Sequence, residues 1–186
     1  MKISNRGLIE IAEHEGIVPG PYLDSRGIWT WGIGHTAAAG DPDPEVMARG
    51  MPDNVDDAII GALKQFDRDL NTYERRVNQA IKGHLKQHQF DALVSFDFNT
   101  GGIFKARLTQ RFNAGDPGAA DSFMGWLKPP EIRGRRVDEM HLFQTGDYGA
   151  NGDAINVWRV DNKGRLRGLD RVMHGDDLLA MMRTRA

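Results

Sequence analysis

Apolar residues recur along this chain with two periods, and the switch between them divides it. Leu8, Ile11 and Ala12 repeat at i, i+3, i+4 spacing behind Ser4, whose hydroxyl suits a helix N-cap, and the run stops at Gly16, a residue suited to the position just past a helix end. The spacing predicts a first helix that carries Glu15 on its apolar face at the last turn, four residues after Ile11, with Glu10 and Glu13 pointing elsewhere. Residues 17–36 change character: Pro19-Gly20-Pro21 breaks the helix, Asp24-Ser25-Arg26-Gly27 is turn chemistry, and Ile28-Trp29-Thr30-Trp31 is rich in β-formers. A small β-hairpin lobe is expected there. Residues 37–55, with three prolines and several Gly and Asp, suit an extended surface loop.

From Asn54 the period turns helical again, with Ile59, Ile60, Leu63, Phe66, Leu70, Tyr73, Val77 and Ile81 every three or four residues, which predicts one long helix. Phe90, Leu93, Val94 and Phe98 predict a second over 87–99, and shorter helical stretches fit 104–113, 117–127 and 131–143. Residues 147–163 are rich in Gly and Asn with one short apolar run at Ile155–Trp158, and a closing segment near Asp170–Arg183 looks helical. The fold class is α+β, mostly helical, without an internal repeat.

Composition narrows this picture. A chain of 186 residues with 40% hydrophobic and 27% charged positions suits one globular domain, divided into lobes around a cleft. The absence of cysteine removes disulfides, thiolate catalysis and cysteine-based zinc sites. No apolar stretch resembles a signal peptide or a membrane span, so the product is expected to accumulate in the cytoplasm. The net charge of −2 is unevenly spread, with 10 Lys/Arg against 15 Asp/Glu in residues 1–99 and 14 against 11 in residues 100–186. Neither half has the basic stripe through which nucleic-acid binders contact phosphates. Six histidines without an HExxH spacing give no metal site, and no cofactor is expected.

Two carboxyl groups are placed in contrasting settings. A glycosidase needs one acid kept protonated to donate to the leaving oxygen and a second carboxylate to act on the anomeric centre directly or through water. Glu15, on an apolar face beside the negative end of a helix dipole, is placed as the acid; Asp24, on a polar turn with backbone N–H groups and water, is placed as the base. Thr30, expected across the hairpin from Asp24, offers a hydroxyl to hold the attacking water. Taken singly, each has an ordinary reading as a solvated charge, a turn former and a β-former.

The run from Glu15 to Thr36, EGIVPGPYLDSRGIWTWGIGHT, joins them. It closely resembles the signature of glycoside hydrolase family 24, the phage lysozymes or endolysins: a Glu, eight residues, an Asp or Cys, five residues and a Thr, with a Gly after the Glu, a Tyr two before the Asp and a closing Gly-x-Gly-His-Thr. Residues 90–101, FDALVSFDFNTG, resemble the family's cleft-lining helix and turn, and Phe112–Asp116, Trp126, Arg135, Arg136, Glu139, Leu142 and Gly146 resemble its C-terminal lobe more weakly. The resemblance covers roughly residues 5–146. It implies a lysozyme-like fold: a small N-terminal β-hairpin lobe of about 17–55, joined by a long helix to a larger helical lobe of about 56–146 that includes the N-terminal helix, with a cleft between them. The C-terminal extension, about 147–186, receives no role. The implied substrate is the β-1,4 bond between N-acetylmuramic acid and N-acetylglucosamine in peptidoglycan glycan strands. Glu15 would be the general acid, Asp24 and Thr30 would position water by an inverting or otherwise water-dependent route, and Asn99, His35 and Gly34 would contact substrate.

The resemblance also implies a monomeric endolysin of a phage, prophage or gene-transfer element, held in the host cytoplasm until a separate holin releases it to the periplasm and cell wall. One of Arg133, Arg135 and Arg136 would pair with Glu15, a choice the sequence leaves open. Asp97 departs from the family, which has a small or apolar residue there, and so adds a carboxylate on or near the helix's packed face or at the surface. Trp29 and Trp31 point to one strand face, where packing is the more ordinary role than stacking on sugars, and His35 has the alternative role of a structurally satisfied histidine. Two rival functions remain open: a lytic transglycosylase, against which Asp24 argues, and a non-catalytic glycan-binding module of a phage tail.

Overall fold

Ser4 caps α1 (Asn5–Glu15), its Oγ accepting the Gly7 N–H at 3.1 Å, and Gly16 ends the helix with a left-handed φ of 69°. Gly7, Leu8, Glu10, Ile11 and Ala12 are all buried, so α1 is covered over more of its circumference than a single apolar stripe implies. Glu10, expected to point away from the packed face, is 1% exposed for this reason. The computed structural model describes residues 1–149 and 152–183, which fall into two units, each built from two separate stretches of chain.

Met1–Ile11 and Leu70–Asn151 form a helical unit. It contains the later part of α2 (Val55–Ala80), α3 (Gln87–Thr100), α4 (Arg107–Asn113) and α5 (Arg133–Thr145), with a 3-10 segment at Ala119–Gly125 where an α-helix over 117–127 is expected. Its core is aromatic. Phe96 meets Phe123 and Trp126 edge-on at centroid distances of 5.5 and 5.3 Å, and Phe143 joins Phe123 and Phe112 at 5.8 Å each. Asp97 lies on the packed face of α3, fully buried, and is paid for by three donors: Arg76 Nε at 2.6 Å, Arg76 Nη2 at 3.1 Å and the Ile103 N–H at 3.0 Å.

Ala12–Asp69 and Gly152–Ala186 form the second unit. Its first sheet has antiparallel order β1 (Val18–Leu23), β2 (Trp29–Gly32), β3 (His35–Thr36), and the loop beyond contains only short 3-10 turns at Ala37–Ala39 and Pro44–Val46. The β1–β2 register is irregular between Val18 and Tyr22, where Pro19 and Pro21 lack the N–H a ladder needs.

The C-terminal extension forms a second antiparallel pair, β4 (Ile155–Val160) and β5 (Leu166–Met173), followed by α6 (Gly175–Arg183). The helix expected from Asp170 therefore begins later, and the preceding strand has no counterpart in the sequence reading. Leu166, Leu169 and Val172 recur every third residue, which mimics a helical period, but they lie on a bulged edge strand with exposed side chains, so burial imposes no alternation. Among the described residues no helix is long and apolar enough to cross a membrane.

Candidate active site

Glu15, Asp24 and Thr30 all belong to the second unit, and β1 links the first two. Glu15 is the last residue of α1 and half-buried; Gly16 and Ile17 follow, and β1 runs from Val18 to Leu23, one residue before Asp24. Gly16 is needed at this joint twice over. Its backbone is left-handed, and a Cβ there would stand 2.8 Å from Trp158 Nε1 and 3.1 Å from the Asn156 carbonyl of β4.

Asp24 opens the turn between β1 and β2. Its Oδ1 accepts the N–H groups of Arg26 and Ile28, both at 2.8 Å, while Arg26 Nε lies 3.6 Å from Oδ2. Backbone bonds reinforce the turn, from Asp24 N–H to the Ile28 carbonyl at 3.0 Å and from Gly27 N–H to the Asp24 carbonyl at 2.9 Å. The carboxylate is thus held by main-chain donors in an Asx-type turn.

Thr30 is buried, and its hydroxyl donates to the Ile28 carbonyl at 3.1 Å, which leaves the oxygen's lone pairs as acceptors. Its partner across the ladder is Tyr22, and Leu23 pairs with Trp29. Thr30 was expected opposite Asp24; Asp24 instead stands beyond the last ladder pair because the turn takes Asp24 to Ile28. In the sequence this tyrosine figures only as part of the family motif and has no role assigned to it. Burial pushes the Tyr22 phenol above its ordinary range, and the charges of Glu15 and then Asp24 push it further the same way. The signal in the sequence is the tyrosine's place two residues before Asp24, the same-face interval of a strand.

The residues expected to contact substrate are differently placed. His35 is 2% exposed, with Nδ1 2.7 Å from Asp69 Oδ2 and Nε2 2.9 Å from the Pro42 carbonyl. With both ring nitrogens engaged inside the unit, it braces the sheet against α2 and has no nitrogen to offer a sugar. Gly34 occupies the β2–β3 turn at a φ of 69°, a position the turn itself requires. Trp31 is buried with its indole N–H on the Pro19 carbonyl at 2.9 Å, and Trp29 lies under the Arg49 guanidinium at 3.6 Å, so both have packing roles.

Asn99 belongs to the helical unit, exposed near the end of α3, and its Oδ1 accepts from Arg136 Nη2 at 2.7 Å. Arg136 is fully buried and rests on Glu139 at 2.6 Å, which also accepts from Ser95 Oγ at 2.8 Å and Arg135 Nε at 3.0 Å. Arg135 and Arg136 both hold Glu139, and Arg133 is exposed at the start of α5. Among the described residues no His, Asp or Glu cluster has the arrangement of a metal site.

Residues 12–141 match the family described as phage lysozyme. The endolysin of Salmonella phage P22 is 35% identical over 153 residues, covering 77% of this chain and 98% of that protein. The solved endolysin from Escherichia coli O157:H7 phage FAHEc1 superposes with a TM-score of 0.68 at 29% identity, covering 80% of this chain and 96% of its own. The muramidase domain of SpmX from Asticaccaulis excentricus superposes with a TM-score of 0.60 at 30% identity, covering 77% and 98%.

Proposed function

The chain belongs to the phage lysozyme family, and on that premise we propose that it is an endolysin that hydrolyses the β-1,4 bond between N-acetylmuramic acid and N-acetylglucosamine in peptidoglycan and so lyses the host cell. Glu15 is the general acid, Asp24 the general base, and Thr30 the hydroxyl that holds the attacking water. What supports this assignment is the family match over residues 12–141 together with the placement of Glu15 at the end of α1, Asp24 in the β1–β2 turn with its Oδ1 held by two main-chain N–H groups, and Thr30 on β2.

In this scheme Glu15 gives its proton to the bridging oxygen as the bond from that oxygen to the anomeric carbon breaks. Water, accepted by Asp24 and oriented by Thr30 Oγ1, forms the new bond to that carbon and loses a proton to Asp24. Asp24 suits the base because its Oδ1 is fixed by two main-chain donors, which leaves Oδ2 to meet the water. Asn99, with Oδ1 occupied by Arg136, has its amide N–H groups to offer a sugar. The protein acts as a monomer on glycan strands and reaches the cell wall from the cytoplasm through a separate holin.

Mass spectrometry of muropeptides tests the reaction. Digestion by the unmutated protein should leave reducing ends, and Glu15→Gln should yield no products while its circular dichroism spectrum is unchanged. Products with 1,6-anhydro ends would establish a transglycosylase instead; glycan binding without cleavage would make the chain a binding module.

A further inference from the structure

Backbone hydrogen bonds from the C-terminal hairpin grip β1 at both ends. Near Glu15, the Ile17 N–H donates to the Asn156 carbonyl and the Trp158 N–H donates to the Ile17 carbonyl, each at 2.8 Å, so Ile17 bridges to Val157 in parallel register. Next to Asp24, the Leu23 N–H donates to the Gly164 carbonyl at 2.8 Å. The hairpin turn lies so close that a Cβ on Gly164 would overlap the Trp29 ring and come 3.4 Å from the Leu23 nitrogen. β1 needs this support because Pro19 and Pro21 interrupt its own ladder with β2 between Val18 and Tyr22.

We propose that residues 156–164, which follow the family-matched region, are a positioning element for the reaction: by holding Ile17 and Leu23 they set how far Glu15 stands from Asp24. The separation of two glycosidase carboxyl groups decides whether a water fits between them, and ångström-scale misplacement costs turnover. The turn is built to be stiff. Asp161 Oδ1 accepts the N–H groups of Lys163 at 2.8 Å and Arg165 at 2.9 Å, its backbone N–H donates to the Arg165 carbonyl at 3.0 Å, and its carbonyl accepts from Gly164 at 2.9 Å. Main-chain donors, with Arg165 and Arg167 on the other oxygen, hold the Asp161 carboxyl far below the usual carboxylate range, so the turn keeps its charge at any working pH.

Two glycines of this hairpin make the test. Gly164 and Gly168 both have left-handed φ, 74° and 97°, but Gly168 has open space where its Cβ would be and touches no part of β1 there. Gly164→Ala and Gly168→Ala therefore carry similar backbone strain, and only the first displaces the turn from Leu23 and Trp29. On soluble glycan oligomers, Gly164→Ala should lower kcat by about tenfold or more with KM within about twofold of the original. Gly168→Ala should keep the original kcat. Hydrogen exchange gives a readout independent of turnover: the Leu23 amide should lose protection in Gly164→Ala and keep it in Gly168→Ala.

Should Gly164→Ala not fold, Asp161→Ala loosens the same turn from within and should give the same split between kcat and KM. Equal kcat in both glycine variants, or an unprotected Leu23 amide without a fall in kcat, overturns the proposal. The inference rests on the proposed hydrolysis, and the two fail separately. A folded but inactive unmutated protein counts against the hydrolysis alone, and the Leu23 exchange comparison still decides whether the hairpin holds β1.

Discussion

Tyr22 and Thr30 face one another across the β1–β2 ladder, so their side chains share one face of the sheet beside the turn that holds Asp24. Thr30 keeps its hydroxyl proton on the Ile28 carbonyl, and burial, followed by the charges of Glu15 and Asp24, raises the Tyr22 phenol above its ordinary range.

If the Thr30 hydroxyl holds the attacking water, Thr30→Val should cut kcat by about 100-fold, and Thr30→Ser should retain most of it. The valine removes one of the two donors to the Ile28 carbonyl, which keeps the Asp24 N–H, and costs about 1 kcal/mol of stability or less, too little to unfold the protein. Steady-state kinetics beside urea melts separates the two effects. Equal kcat in the valine and serine variants would remove the hydroxyl from the mechanism.

Tyr148 donates to Asp91 Oδ2 at 2.6 Å, and burial followed by that bond pushes its phenol from 10.0 to about 12. Tyr22 is pushed higher still. In an absorbance titration at alkaline pH, Tyr148→Phe should remove a step near pH 12, whereas Tyr22→Phe should leave the curve below that pH unchanged. The raised value of Tyr148 favours the neutral form in the folded state. Its contribution to stability is complete below pH 10.0 and is lost as pH rises through about 12. Thermal melts across that range should show a steeper decline for the unmutated protein than for Tyr148→Phe.

His35 gives the opposite end of the pH range its own test. Burial alone lowers its proton affinity, but the hydrogen bond and charge of Asp69, with the Pro42 and Gly40 carbonyls, more than reverse this and raise it above 6.5. A histidine raised in the folded state adds stability that is complete below 6.5 and is lost as pH climbs through the folded value. Asp69→Asn removes the charge and leaves burial in place, so the slope of melting temperature against pH should change sign between about pH 5 and 8. An unchanged slope would mean the pair is neutral.

In the helical unit, Arg76→Met strips the buried Asp97 of its cation. The loss should be about 3 kcal/mol, at the lower end for a broken buried pair, because the Arg76 side chain is 30% exposed and water can partly replace it. Asp97→Leu added to Arg76→Met should recover most of that loss in urea denaturation. A double variant no more stable than Arg76→Met would show that the carboxylate's bond to the Ile103 N–H matters more than the ion pair.

The lysozyme-like fold was legible wherever one face of an element meets a core. α1, the first hairpin, α2 and α3 each carry a clear period, and Ser4 and Gly16 mark the ends of α1 as their chemistry requires. β5 was not, because an edge strand exposed on both faces has nothing to enforce alternation. The spacing of Glu15, Asp24 and Thr30 pointed to a site, but the register that sets Tyr22 opposite Thr30 depends on where the turn closes, which a run of turn-forming residues leaves undetermined to within one or two positions. The burial of His35 depended on Asp69, 34 residues away, and the burial of Asp97 on Arg76, 21 residues away. Neither separation has a local pattern.

The bond from Leu23 to Gly164 spans 141 positions (164 − 23), and that from Ile17 to Asn156 spans 139 (156 − 17). Loops of this length close late, after their local neighbours have formed. On the ribosome, Glu15, Asp24 and Thr30 emerge long before the hairpin that steadies the strand between them. The strand between them must therefore wait, half-edged and unsupported, until residue 164 has been synthesised, and a translation product that stops short of Gly164 lacks its second anchor.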